Sequence, residues 1–483
     1  MHDVLEVLIV GSGFAGLCLA LQMQQAGRRW RLLEQAPVLG GTWRDNHYPG
    51  AACDIPSNLY SLSFMPNPDW THLFPPQAEI EAYMNRCADQ GGIRASMQFN
   101  ARVVRAEWED AAACWNVTLA DGTTFRARTL ALATGGLSRP QMPQIEGLEL
   151  FRGSVFHSAR WRHDVALGGK RVGVIGTGAS GIQIVPSIAP ACATLTLFQR
   201  TPAWIIPRTD VKVSEATRAT YRRHPWRQRL DRSLTYLRLE WRVFAFTRAQ
   251  GLLRQAQGLV LRHLAARIPD PVLRARLTPD YTLGCKRILL SDDFYPALKR
   301  PNVTLVNQGV VRATPGGVVT ADGREHALDV LIAATGFQVA GAGAPFDVIG
   351  RGGRSLNEVW AGGPQAYLGT VVAGFPNLFV MTGPNTGLGH NSMVYMIESQ
   401  AAFVLRALQA LEQVRAFDVR ASVQASYNDG LQRRLARSVW NAGGCRSWYL
   451  AADGSNRVLW PDFTFRFRRR LAQFDWRHFH KLG

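Results

Sequence analysis

Apolar residues are distributed along this chain in two ways. Some form continuous runs of four to six, and others recur every three or four positions over longer stretches. The run Val7-Leu8-Ile9-Val10 leads directly into Gly11-Ser12-Gly13-Phe14-Ala15-Gly16 and then into a helical stretch, Leu17 to Gln25. About 165 residues later Val172-Gly173-Val174-Ile175 leads into Gly176-Thr177-Gly178-Ala179-Ser180-Gly181 and the helical stretch Ile182 to Ile188. A short apolar run bounded by turn residues reads as a buried strand, and a three-to-four repeat reads as a helix face. Each stretch therefore predicts a strand, a tight turn and a helix start. Two more apolar runs end alike, Leu130 to Gly135 and Leu331 to Gly336, both closing on Ala-Thr-Gly. They predict a strand closing each unit, with a small-residue end that lets backbone pass close to a ligand.

Glycine at those three spacings has a physical purpose. The first permits the turn, the second lets backbone approach a pyrophosphate, and the third lets helix pack on strand. The helix start then offers unpaired N–H groups to phosphate. Two copies, each in strand–turn–helix context, predict an α/β protein with two Rossmann-like dinucleotide-binding units. Gly11, Gly13, Phe14, Ala15 and Gly16 are candidate contacts in the first; Gly176, Thr177, Gly178, Ala179, Ser180, Gly181 and Gln183 are candidates in the second.

The residue ending the second strand of such a unit discriminates the ribose. Arg31-Leu32-Leu33-Glu34 ends in an acid suited to a free 2′-hydroxyl, as in the adenosine of FAD. Leu195-Thr196-Leu197-Phe198-Gln199 is followed by Arg200-Thr201, a base where a 2′-phosphate would sit, which predicts NADPH rather than NADH.

The chain has 483 residues, 47% hydrophobic and 19% charged, enough for two or three domains with a sizeable core. The stretch Val7 to Leu21 is broken by glycines and lacks a basic start, so it does not read as a leader, and no run is long enough to span a bilayer. Seven scattered cysteines without a C-x-x-C pair predict neither a metal centre nor a disulfide framework, but reduced thiols in a cytoplasmic protein. A disulfide reductase, which also uses FAD and NADPH, is excluded on the same ground, since Cys53 stands alone. The net charge is +19, and about half of the excess lies between Val211 and Asp280, with about fifteen Lys/Arg against five Asp/Glu. No recognition-helix, zinc-finger or RNA-binding pattern accompanies it, so nucleic acid is not an expected partner.

Two signatures bring in a resemblance. Gly40-Gly41-Thr42-Trp43, followed by Tyr48-Pro49-Gly50 and Asp54, and Phe151-x-Gly153, followed by His157 and Trp161, are similar to the longer and shorter signatures of Baeyer–Villiger monooxygenases. The second departs from the usual pattern in carrying Arg162 after the Trp, where Pro or Asp is common. Trp161 favours this family over the related flavin monooxygenases that oxidise nitrogen or sulfur, which are the alternative reading. Gly284-Cys285-Lys286-Arg287 resembles the family's Lys-Arg pair, Met381 to Asn385 the segment returning to the flavin, and Cys445 to Tyr449 a loop whose Trp448 closes over NADP.

The resemblance implies a flavin reduced by NADPH, a C4a-peroxyflavin formed with dioxygen, and conversion of a ketone to an ester or lactone. Arg287 would stabilise the negative charge, Asp54 would orient Arg287, and Lys286 would contact the 2′-phosphate. Thr42, Trp43, Tyr60, Val103 and Met381 are implied flavin contacts. Core packing is the alternative reading for Tyr60 and Val103. His157 and Trp161 are implied to couple the linker to cofactor handling, with core packing an equal reading for His157. The resemblance also implies three stretches: 1–150 and 341–483 as two parts of an FAD-binding domain, the latter ending in a loop region, and 151–340 as an NADP-binding domain. The last carries a helical insertion at about 211–280. Within it Leu234, Leu237, Trp241 and Phe244 are expected as a buried stripe, among Arg232, Arg238 and Arg242. A weak peripheral membrane contact stays open there. Spacing gives neither the ketone nor the oligomeric state.

Overall fold

The computed structural model describes residues 4–339 and 343–482. The expected boundary at 340–341 falls outside the described residues. The first part of the chain supplies β1 (Leu5–Val10), β2 (Trp30–Leu33), β3 (Met97–Gln98), β4 (Val103–Glu109), β5 (Cys114–Leu119) and β6 (Thr124–Leu132). The middle supplies β7 (Ser154–His157), β8 (Arg171–Ile175), β9 (Thr194–Phe198), the short pair β10 (Ile205–Ile206) and β11 (Leu289–Leu290), then β12 (Val303–Val306). A small antiparallel sheet of β13 (Val310–Thr314), β14 (Gly317–Thr320) and β15 (Glu325–Ala327) precedes β16 (Val330–Ala333). Late in the chain come β17 (Asp347–Ile349) and β18 (Leu378–Val380), then the hairpin of β19 (Ala416–Val419) and β20 (Phe479–Leu482).

Two parallel-cored sheets carry the architecture. The first has the order β17-β4-β5-β6-β1-β2-β3 with β18 beside β6, and the second the order β12-β9-β8-β16-β7. Strands from beyond residue 343 thus complete the first sheet around the second. Continuous apolar runs such as Leu130–Leu132 and Val330–Ala333 suit strands covered on both faces. The first core lies between β1 and two long helices, Phe14–Gln25 and the Ser392-capped Met393–Leu411. The second gathers Val172, Val174, Ile182, Leu195 and Leu197, and it also takes in Tyr48 and Ala51 from the first part of the chain.

The insertion forms the helices Glu215–Arg223, Pro225–Glu240, Arg242–Thr247, Gln250–Arg267 and Pro271–Leu277. Here the expected buried stripe is corrected. Leu234, Leu237, Trp241 and Phe244 all lie on the outside, and Trp241 is 67% exposed. What the helix Pro225–Glu240 buries instead is polar. Gln228 Nε2 donates to Asn58 Oδ1 (3.0 Å) and Asn67 O (2.6 Å), Arg232 donates to the carbonyls of Asn58 and Ser61, and Glu240 accepts from Asn391 and Thr464. Those groups must keep their partners, and that fixes which face turns inward.

The cysteine reading is corrected too. Cys285 and Cys445, 160 residues apart, form a disulfide with their Cα atoms 6.1 Å apart. Cys18, Cys53, Cys87, Cys114 and Cys192 are free and buried. Spacing could not find the pair, because only the folded chain brings the two segments together.

Candidate active site

The first glycine turn closes against the strand end beside it. Gly11 has φ +105°, and a Cβ there would lie 2.5 Å from Ala133 O; a Cβ on Gly16 would lie 1.9 Å from Gly11 O. Gly41, with φ +53°, brings the Gly40-Gly41 pair onto the same turn, where its Cβ would meet Gly13 Cα at 2.8 Å. No side chain caps the helix that Phe14 and Ala15 begin, so its first N–H groups are open to an anion. Glu34 leaves β2 buried, accepting from Ser12 N (2.9 Å), Ser12 Oγ (2.7 Å) and Ala36 N (2.9 Å), with Arg44 at 3.2 Å.

Thr42 and Trp43 start the helical turn Thr42–Asp45. Trp43 Nε1 donates to Tyr60 Oη (2.9 Å), and the Phe14 ring meets Tyr60 edge-on at 5.2 Å. Met381 N donates to Leu132 O (2.8 Å), so it leaves β18 beside the same strand end. Thr382 and Asn385 follow with positive φ, and Asn385 Oδ1 is buried with no partner among the described residues. A glycine cradle, an uncapped helix start and an orphaned acceptor fit a flavin dinucleotide. Val103 is different. Its side chain is buried with Val10 and Leu33 in the core behind the strands.

The second turn repeats the first. Gly176 has φ +110° with its Cβ position 2.5 Å from Ala334 O, and a Cβ on Gly181 would lie 2.1 Å from Gly176 O. Gly178 has open space around it, Ala179 is exposed, and Ser180 caps the helix Gly181–Ile188 without a side-chain bond. Thr177 Oγ1 donates to Thr201 O (3.1 Å), tying the turn to the end of β9. Gln183 does something the sequence did not suggest. It accepts from Tyr48 Oη (3.0 Å) and donates to Ala52 O (3.0 Å), joining the two nucleotide units.

Lys286 lies with its ammonium 4.9 Å from the Tyr281 ring. Its basicity is lowered first by burial and then by the charge of Arg200, so the fold holds two cations near each other. Such a pair fits a phosphate dianion, which would relieve the repulsion.

Next in sequence, Arg287 forms a two-pronged bond to Asp54 across 233 residues, Nε to Oδ2 at 2.6 Å and Nη2 to Oδ1 at 2.7 Å. Nη1 turns to Leu388 O (3.3 Å). Both side chains keep just under a third of their surface open, 29% and 28%. Asp54 raises the basicity of Arg287 further, against burial. Burial pushes Asp54 up, but the Arg287 charge and hydrogen bonds outweigh it and the net shift is down. Both groups are held charged.

The shorter signature meets the longer one. Trp161 is buried against Phe156 (5.2 Å between rings) in the core that contains Tyr48 and Ala51. Arg160 pairs with Asp45 at 3.8 Å, and His163 Nε2 lies 2.8 Å from His47 Nδ1. His157 is buried, accepts at Nδ1 from Ala159 N (3.0 Å), and has its basicity lowered by burial. Arg162, the departure from the signature, pairs with Asp164 on the surface. Trp448 is half-exposed beside buried Tyr449, whose hydroxyl is pushed up by burial against the opposing charge of Arg287. Cys445 thus fastens this segment to the one bearing Lys286 and Arg287.

The family described as pyridine nucleotide-disulphide oxidoreductase matches residues 5–235. A Baeyer-Villiger monooxygenase of Pseudomonas aeruginosa is 47% identical over 479 residues, covering 98% of this chain and 91% of that protein. One from Streptomyces coelicolor is 46% identical, covering 98% and 92%. Among solved structures, an oxidised steroid monooxygenase bound to NADP superposes with a TM-score of 0.88 at 31% identity, covering 99% of this chain and 100% of that one. OTEMO in complex with FAD and NADP superposes with a TM-score of 0.90 at 27% identity, covering 99% and 100%.

Proposed function

From a chain that belongs to the Baeyer–Villiger monooxygenases, FAD- and NADPH-dependent enzymes, we propose a site in which Asp54 and Arg287 together run the oxygen insertion that turns a ketone into an ester or lactone. The observation that carries this reading is the two-pronged bond between them. Bound flavin, once reduced by NADPH, supplies the activation of dioxygen. The remaining work belongs to side chains. Arg287 keeps its proton at any working pH, so it holds negative charge on oxygen without donating the proton that would release hydrogen peroxide. Asp54 fixes the guanidinium plane. Tyr449, buried near Arg287, helps keep water out.

The reading divides the chain as 1–150 and 341–483 for FAD and 151–340 for NADP. Gly11, Gly13, Gly16, Glu34, Thr42, Trp43, Tyr60 and Met381 hold FAD. Gly176, Gly178, Gly181, Arg200, Thr201 and Lys286 hold NADPH, with Arg200 and Lys286 on the 2′-phosphate. Gln183, His157 and Trp161 join the two halves, and Trp448 closes over the nicotinamide nucleotide. A small ketone and dioxygen are the reactants.

Purified protein should be yellow and, with NADPH in air, convert members of a ketone panel to esters measured by mass spectrometry. Arg287→Ala should go on oxidising NADPH while ester falls below detection. Ester from that variant, or sulfoxide from sulfides with no ester from any ketone, would overturn the assignment.

A further inference from the structure

We infer that the outer face of the helix Pro225–Glu240 and of the short helix Arg242–Thr247 after it is a docking surface for an anionic lipid bilayer. Trp226, Leu230, Leu234, Leu237, Trp241 and Phe244 follow one another at steps of three or four and are 58%, 49%, 55%, 51%, 67% and 39% exposed. Such spacing places the five from Trp226 to Trp241 in one stripe along one side, and exposed Phe244 follows on the next short helix. The stripe runs on into the C-terminal part of the chain. The Trp241 ring meets Phe463 edge-on at 5.9 Å, and Phe463 meets Phe465, itself 47% exposed, at 5.2 Å.

A contiguous apolar strip of this kind on a surface marks an interaction site. It is not a core face displaced outward, because the opposite face is committed. Turning the helix over would strip Gln228, Arg232 and Glu240 of the partners described above, leaving two charges and an amide unpaired.

Charge selects the occupant. Arg227 and Arg238 flank the stripe on one side and Arg229 on the other, all exposed. Among the described residues none of these three, nor Arg223 at the preceding turn, has a carboxylate within ion-pair distance. The surrounding segment carries about fifteen basic residues against five acidic ones. A second copy would bring this basic rim against itself. An anionic headgroup layer complements it, with tryptophan and leucine entering the boundary between headgroups and acyl chains. No described helix is long and apolar enough to cross a membrane, so contact is from one side.

The test is co-sedimentation of the FAD-loaded protein with phosphatidylcholine vesicles, with and without phosphatidylglycerol. At low salt the protein should pellet with the phosphatidylglycerol vesicles at least about tenfold more than with phosphatidylcholine alone, and high salt should reduce this. Leu234→Ser, Leu237→Ser and Trp241→Ser combined should abolish pelleting, while FAD content and NADPH oxidation stay as in the parent. Arg227→Gln with Arg238→Gln should lose the preference for phosphatidylglycerol. Absence of pelleting, or pelleting that the triple variant retains, overturns the inference. So does a dimer in solution that the triple variant splits, which would assign the stripe to a second copy.

Discussion

Burial pushes the carboxyl groups of Asp54 and Asp418 in the same direction, with opposite results. At Asp54 the Arg287 cation outweighs it. At Asp418, 8% exposed, the main compensation is the Gly374 N–H, which reaches both carboxylate oxygens at 3.0 Å, and the group is pushed up to about 6. The folded state then binds this proton more tightly than the unfolded chain. The favourable contribution is complete below the ordinary value of 3.8 and is lost as pH rises through about 6. Asp418→Asn, which keeps an acceptor for Gly374, should therefore stabilise the protein at pH 8 by on the order of 2 kcal/mol and change little at pH 4. Thermal melts at both pH values check this, and an equal shift at the two would refute it. Removing the partner at the other acid should be costly. Asp54→Ala should lower ester per NADPH at least about tenfold and raise hydrogen peroxide, since Arg287 loses its fixed orientation. For the two neighbouring cations, Arg200→Ala and Lys286→Ala should each raise KM for NADPH about tenfold or more and leave KM for NADH nearly unchanged. Steady-state kinetics with both nucleotides decide it.

Among the elements, the two glycine turns were the most legible, because their steric demands are written in neighbouring residues. Gly16→Ala and Gly181→Ala each place a methyl about 2 Å from a carbonyl oxygen that cannot move without opening the turn. The first should lose FAD, seen as a colourless protein. The second should stay yellow but reduce its flavin with NADPH at least about tenfold more slowly, by stopped-flow absorbance. The stripe on Pro225–Glu240 was legible as a stripe and not as a direction. Periodicity reports that apolar residues share a side, while the inward side was decided by Asn58, Asn67, Asn391 and Thr464, far away in sequence. The disulfide was illegible for a similar reason. Tryptic cleavage after exposed Arg446 should accelerate several-fold when Cys445 is reduced or replaced by Ser. Unchanged cleavage would argue that the bond does not restrain residues 444–449.

For the whole molecule, the sequence showed two nucleotide units, and family resemblance located Asp54 and Arg287, but the seam between the units was visible only in three dimensions. Gln183 with Tyr48 and Ala52, Arg160 with Asp45, and His163 with His47 all cross it. Each pairs residues more than a hundred positions apart, so no local pattern announces them. The longer signature supplies one side of all three, and on the other Arg160 lies in the shorter signature, His163 just after it and Gln183 after the second glycine turn. The covalent tie from Cys285 to Cys445 adds a mechanical constraint to this assembly. While it stands, Cys445 cannot move away from Cys285, so a swing of the segment that carries Trp448 pivots at a point anchored two residues before Arg287 in the chain. On the roles proposed for Trp448 and Arg287, nucleotide exchange and the setting of the guanidinium are then mechanically linked.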